Sequence, residues 1–233
     1  MRVNKALFTP VRSKRTFEDV SLQVRDLIVR GVLKPGDRLP PEAELGEQFH
    51  VGRQTVREAL RILELSGFIS IQKGFGGGPF VKDSTVGKAT DILWHAFKMA
   101  KTSLAEVVAA RLLIEKAVLN DVFDRAGKED IKKLQENVAK AKDLIAKGQK
   151  PFDESFEFHI LLAKASKNNV FVVLVETINT IHRRLRSQKP PTFAMVKGFV
   201  QKHEQILEAL IGKDRQRALR LLEEDTRQIR NSR

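Results

Sequence analysis

The stretch from Gly36 to Val81, GDRLPPEAELGEQFHVGRQTVREALRILELSGFISIQKGFGGGPFV, limits the possible folds more than any other part of the chain. Pro35-Gly36 and Pro40-Pro41 break the backbone, and Pro41 suits a first helical turn, where its missing N–H would be unpaired anyway. Leu45 and Phe49 then stand four apart on one helical face. A tight turn at Val51-Gly52 leads into a second helix starting near Arg53. In that helix Val56, Ala59, Leu60 and Leu63 form the buried stripe, leaving Arg53, Gln54, Thr55, Arg57 and Arg61 outside. Next, Phe68-Ile69-Ser70-Ile71 alternates apolar and polar like a strand, Gly74 to Gly78 turns, and Pro79-Phe80-Val81 returns. The pattern is a helix-turn-helix followed by a wing. A helix with an apolar back and an Arg/Gln/Thr front at its N-terminal end is what a DNA major groove accepts.

The flanking sequence supplies the rest of the architecture. Val20, Val24, Leu27 and Ile28 at helical spacing, closed by Gly31, predict a first helix over 16–30. Arg12, Lys14 and Arg15 before it read equally well as phosphate contacts or as a solvated tail. After Val81 the strand pattern ends. Only helical periodicity follows, predicting helices over 86–100, 103–125, 128–147, 152–167, 169–187, 192–212 and 214–230. Breaks fall at Gly127, Gly148 to Pro151, Asn168-Asn169, Pro190-Pro191 and Gly212. The fold expected is mainly α: a winged helix-turn-helix domain over 10–82, a linker over 83–88 and an all-helical antiparallel bundle over 89–230. Helices of that length leave room for an internal cavity.

Bulk properties agree. A chain of 233 residues has room for two ordinary domains. The net charge of +13 favours a polyanionic partner, although the excess is shared by both parts and does not locate the contact. With no cysteine, neither a disulfide framework nor a thiolate metal site is available. No apolar run approaches the roughly 18 residues of a membrane span, and Met1–Pro10 lacks the apolar core of a signal peptide. The expected location is the cytoplasm, with no membrane partner.

The residues of the motif resemble the winged helix-turn-helix of the GntR family of bacterial transcription regulators. Those carrying the likeness run from Leu33-Lys34-Pro35-Gly36-Asp37-Arg38-Leu39-Pro40 through Glu42, Leu45, Arg53 and Thr55-Val56-Arg57-Glu58-Ala59-Leu60 to Leu63, Gly67, Gly74 and Phe80-Val81. Ala43 stands where these proteins often have a DNA-contacting arginine, and Gly52 replaces the usual serine before the recognition arginine. The helical part is similar to the FCD effector domain of the FadR subgroup. Its markers are Arg111 and Glu115, Phe158-His159, Ala165-Ser166 with Asn168, His203-Glu204, Ile206-Leu207, Ala209, and Asp214 with Ala218. The likeness implies a ligand-responsive regulator of transcription, a repressor acting as a homodimer on a palindromic operator in double-stranded DNA. The DNA-contacting residues it implies are Arg38, Arg53, Gln54, Thr55, Arg57, Lys73 and Gly74. The alternative is an effector-independent DNA-binding protein whose helical domain only dimerises.

In that subgroup an Asp four residues before a His, plus two further His, often hold a divalent metal. Carried over, these positions are Ser155, His159, His203 and Asp225, so a serine replaces the carboxylate and an aspartate the last histidine. Ser155 and His159 still share one helical face. His159, His203 and Asp225 would make a two-His, one-carboxylate set suited to Zn, Ni, Mn or Fe. The competing reading is that both histidines are ordinary core or surface residues. Arg111 corresponds to an arginine that pairs with the carboxylate of a small organic acid; its other reading is an internal ion pair with Glu115. Asn168 is either an effector contact or a helix terminator. His182, within Ile181-His182-Arg183-Arg184-Leu185-Arg186, reads as part of a solvated basic face. Without a cysteine nucleophile, a G-x-S-x-G elbow or a phosphate-binding loop, no catalytic constellation stands out. A metal-dependent hydrolase or oxygenase built on His159, His203 and Asp225 is the one enzyme class left to weigh. The expectation is a non-enzyme.

Overall fold

The structure is a computed structural model, and it describes residues 16–82, 86–187 and 190–231. Arg12, Lys14 and Arg15 lie outside the described residues, as do 83–85 of the expected linker. The chain divides into two compact units, Met1–Lys88 and Ala89–Arg233.

The first unit builds α1 (Thr16–Val29), α2 (Glu42–Gln48), α3 (Arg53–Leu65) and a hairpin of β1 (Ile69–Gln72) and β2 (Gly78–Val81). The strands are antiparallel, with Ile69 opposite Val81 and Ser70 opposite Phe80. Val24, Leu39, Leu45, Val56, Leu60, Leu63, Ile69 and Val81 close into one core. Helical and strand periodicities thus aim the same few side chains inward and leave the front of α3 in water. Two local details differ from expectation. Pro41 is the N-cap of α2 and not its first helical residue, its carbonyl accepting from the Leu45 N–H. The turn into α3 is made by His50, which is left-handed at φ 52°, while Gly52 is extended and caps α3. Histidine is among the few side chains that tolerate that region. Close approach matters at two glycines: a Cβ at Gly77 would collide with the Gln72 carbonyl oxygen, and one at Gly46 would lie 3.0 Å from that of Val51.

The second unit is an all-α bundle: α4 (Val86–Met99), most of which lies within it, then α5 (Leu104–Arg125), α6 (Lys128–Ala146), α7 (Phe152–Ala165), α8 (Asn169–Arg186), α9 (Phe193–Ile211) and α10 (Arg215–Asn231). The expected breaks at Gly127, Gly148 and Gly212 fall within two residues of the helix end before them, while Asn168 and Pro190 lie three and four residues beyond Ala165 and Arg186. Ser103 and Glu106 form a reciprocal capping box at the start of α5. Asn168 and Thr192 cap α8 and α9 with their side chains. Left-handed turns after helices are carried in three places by lysine, Lys101, Lys167 and Lys213, where glycine is the common choice. Leu119, Leu134, Phe158, Ile206 and Leu222 are fully buried at the centre of the largest core. Among the described residues no helix is long and apolar enough to cross a membrane.

This core sits beside the polar cavity described below, so its packing sets the spacing of the helices that line it. Leu119→Ala should destabilise the helical unit by about 2–5 kcal/mol, through lost burial plus the cavity left behind. Urea unfolding followed by circular dichroism is the check.

Candidate functional site

On α3 the side chains of Arg53, Gln54, Arg57 and Arg61 are exposed and Thr55 is half-buried. Two of these are tethered. Arg57 donates from Nε to Glu42 Oε1 at 3.3 Å and from Nη2 to Glu42 Oε2 at 2.9 Å, which links α3 to the start of α2. The Gln54 amide donates to Glu58, one turn along, at 3.3 Å. Hydrogen bonding to Glu42, and then its charge, raises the Arg57 pKa further. Arg38 is tied to the wing: it donates to the Gly77 carbonyl and its guanidinium lies 5.9 Å above the centre of the Phe80 ring. Lys73 and Gly74 are exposed at the wing tip next to Phe75, whose whole ring is in solvent, although the simplest reading of a phenylalanine in this sequence is a core residue.

In the helical unit, five helices each turn polar side chains toward one point. Arg111 and Glu115 come from α5, Ser155 and His159 from α7, His182 and Arg186 from α8, His203 from α9 and Asp225 from α10, and all are buried. Three of the five, α5, α7 and α8, supply residues four apart, the spacing that keeps two side chains on one face. All of these except Glu115 line a narrow cavity, about 30 Å³ inside and about 360 Å³ when the open space at its mouth is counted, walled also by Phe152, Phe156, Pro191 and Phe199.

Arg111 and Glu115 are paired within this buried cluster, Nε to Oε1, at 2.7 Å. The same Glu115 oxygen lies 3.1 Å from His159 Nδ1. The other ring nitrogen of His159 is 3.8 Å from Asp225 Oδ2, and His203 Nε2 is 3.8 Å from Asp225 Oδ1. His203 is held flat against Phe158, ring centres 4.3 Å apart. Burial alone would raise the Glu115 pKa, but the charge of Arg111 and then His159 more than offset it and hold it at about 2. Burial pushes the Asp225 carboxyl up to about 6, against a smaller opposing pull from His159 and Arg111. Burial, then the charges of His159 and Arg111, depresses His203 well below its ordinary value.

These atoms fit a divalent cation. One ligand atom each from His159, His203 and Asp225 lie within 4.8 Å of one another. Asp225 Oδ1 and His203 Nε2 are buried without a hydrogen-bond partner among the described residues, a costly state that a shared cation would relieve. Glu115 beside Nδ1 favours the proton there, which leaves the Nε2 lone pair of His159 facing Asp225. Ser155 is present at the fourth position, but its hydroxyl donates to the Pro151 carbonyl at 2.8 Å, so it offers at most a weak neutral oxygen.

The remaining expectations divide. Arg111 satisfies both of its readings, being paired with Glu115 and lining the cavity. Asn168 does not line the cavity; its side chain accepts from the Val170 N–H at 3.0 Å and caps α8. Asp153 and Glu154 point away, toward Arg183 and Lys140. His182 corrects the sequence reading outright. It is not on a solvated face but buried, with Nδ1 3.3 Å from Arg111 Nη1. Arg186, one turn on, is buried with it. The signal that marks them is the four-residue spacing of His182 and Arg186, hidden by the solvent-facing Arg183 and Arg184 between them.

Residues 16–78 match the model of bacterial regulatory proteins of the gntR family, and residues 106–227 match that of the FCD domain. The chain belongs to the GntR family. The Uxu operon transcriptional regulator of Escherichia coli (strain K12) is 31% identical over 210 residues, covering 87% of this chain and 80% of that protein. The Exu regulon transcriptional regulator of the same strain is 28% identical over 214 residues, 86% of this chain and 78% of that one. A solved structure of Streptococcus agalactiae GntR shares the fold at a TM-score of 0.75 and 24% identity, covering 93% of this chain and 100% of that chain. This GntR member is therefore a DNA-binding regulator of transcription and not an enzyme, and its FCD domain is of the kind that binds small-molecule effectors.

The carboxylate that a bound metal would meet is protonated below its raised pKa of about 6. Metal needs Asp225 ionised, so uptake competes with its proton and weakens as pH falls through that value. The rise in unfolding temperature produced by added Zn²⁺ should be distinctly larger at about pH 7.5 than at about pH 5; equal rises would contradict the assignment of Asp225 as a ligand.

Proposed function

We propose that this protein is a homodimeric repressor that grips a palindromic operator and lets go when a small carboxylate enters the FCD cavity. The observation that carries the effector half is the convergence of His159, His203 and Asp225 on a single cavity with Arg111. A divalent ion held by those three residues would act as a Lewis acid for one end of an organic acid. The guanidinium of Arg111, its Nε committed to Glu115, offers its outer N–H groups to a carboxylate. Phe152, Phe156 and Phe199 enclose the remainder, which suits a small ligand with an apolar face. A ligand shifts an equilibrium only by its differential affinity for two states, so occupancy works by favouring the state that releases DNA.

The DNA half rests on the front of α3. Arg53, Gln54, Thr55 and Arg57 enter or flank the major groove, with Arg38, Lys73 and Gly74 at the wing near the neighbouring backbone. Glu42 occupies the Nε side of Arg57, which presents the far end of the guanidinium to a guanine or a phosphate. One winged helix reads only a few base pairs, so useful affinity calls for two half-sites and a two-fold dimer. An exposed apolar stripe on α4, with Ala89, Ile92, Leu93, Ala96 and Met99 in solvent, supports a second copy as the partner, since a two-fold interface uses the same patch twice. Relatives that bear the names of operon and regulon regulators support control of a small gene set.

Replacing Arg53 or Arg57 by alanine should cost roughly 1–3 kcal/mol per half-site. A gel-shift titration on a selected operator measures it, with sedimentation velocity giving the stoichiometry. Wild-type affinity of the double variant, or one protein monomer per operator, would contradict the proposal.

A further inference from the structure

His182 has one hydrogen-bonding partner and one free end. Its Nδ1 lies 3.3 Å from Nη1 of Arg111, while its Nε2 is buried with no partner among the described residues. A guanidinium carries only N–H donors and stays protonated, so it donates and Nδ1 must accept. A neutral imidazole that accepts at Nδ1 carries its hydrogen on Nε2. The tautomer of His182 is thus dictated by Arg111, whose own orientation is fixed by Glu115. The ring is braced edge-on against Phe156, centres 5.4 Å apart, and it lines the cavity. The result is a preset N–H donor that the protein itself leaves unanswered. The charged and titratable groups around it are Arg111 and Glu115 from α5, His159 from α7 and Arg186 on its own helix. Burial first, then the charges of Arg111 and Arg186, pushes the His182 pKa down to about 2, which keeps the ring neutral.

We propose that the Nε2–H of His182 reads an acceptor oxygen on the effector, so that the cavity selects acids bearing a further hydroxyl or carbonyl oxygen over the plain alkyl acid. This rests on the reading of the cavity as the effector site. A buried donor left unpaired by the wrong ligand discriminates more strongly than a matter of size, because the analogue without the oxygen strands it. The donor belongs to the protein and not to the metal, so the preference holds for any ion bound at His159, His203 and Asp225.

Two measurements on the full chain test this. The first is ¹⁵N NMR of protein labelled at histidine, with the His182 ring identified by its loss in His182→Gln. The expected signal is the neutral Nε2–H form near pH 7; an Nδ1–H form or an imidazolium would overturn the inference. The second is calorimetric titration of Zn²⁺-loaded protein with lactate against propionate, and with gluconate against hexanoate. The wild type should prefer the oxygenated acid of at least one pair by roughly 10- to 100-fold. His182→Phe should abolish that preference by weakening only the oxygenated acid, and His182→Gln, whose amide still donates, should recover part of it. Thermal unfolding of both variants confirms that they fold. Equal binding within the pairs, or a preference that survives His182→Phe, overturns the inference and leaves the effector cavity standing. Binding of none of the four acids overturns the effector reading and this inference together.

Discussion

Burying an arginine beside a glutamate takes two charges out of water, and the pair repays that cost only if its geometry is good and its remaining atoms are used. Arg111 and Glu115 meet at 2.7 Å on adjacent turns of α5, and the groups around them take their states from that contact. Glu115 stays ionised because of Arg111, and its oxygen draws the proton of His159 to Nδ1. Arg111 in turn fixes the acceptor side of His182. Removing either partner would leave an unpaired buried charge and undo both histidine tautomers. The pair therefore sets the hydrogen-bonding pattern of the cavity, beside His159 on one side and His182 on the other.

The DNA-binding unit uses carboxylates in a related way, though at the surface. Glu42 holds Arg57 and Glu58 holds Gln54. Such exposed contacts add little stability. Their consequence is geometric: a long side chain that would otherwise sample many rotamers is held before DNA arrives, and less freedom is lost on binding.

Much of this was readable from the residues alone. The helices and the wing follow from periodicity and from glycine and proline positions, because core side chains must recur at 3.6 or 2 residues. Arg111, Ser155, His159, His203 and Asp225 could be named because the family resemblance points to their positions, and the structure brings them to one cavity. What sequence reasoning missed is polar burial. The inward face of α8 carries Thr177, Asn179, His182 and Arg186 beside Val175 and Ile181, so hydropathy gives no cue that it faces inward. Asn168 went the other way, since capping a helix and contacting a ligand call for the same amide. The left-handed turns at His50, Lys101, Lys167 and Lys213 were also hidden, because tertiary packing overrides the usual preference for glycine there.

Two histidines and one aspartate would have to hold a metal at positions where the family resemblance implies an aspartate and three histidines. Elemental analysis of untagged, dialysed protein tests it most directly, run beside the His159→Ala/His203→Ala variant. A ratio near one divalent metal per chain that vanishes in the variant is the predicted result. Metal-free wild type that also fails to take up added Zn²⁺ or Ni²⁺ would contradict it, and the cavity would then have to recognise its ligand through Arg111, His182 and the aromatic wall alone.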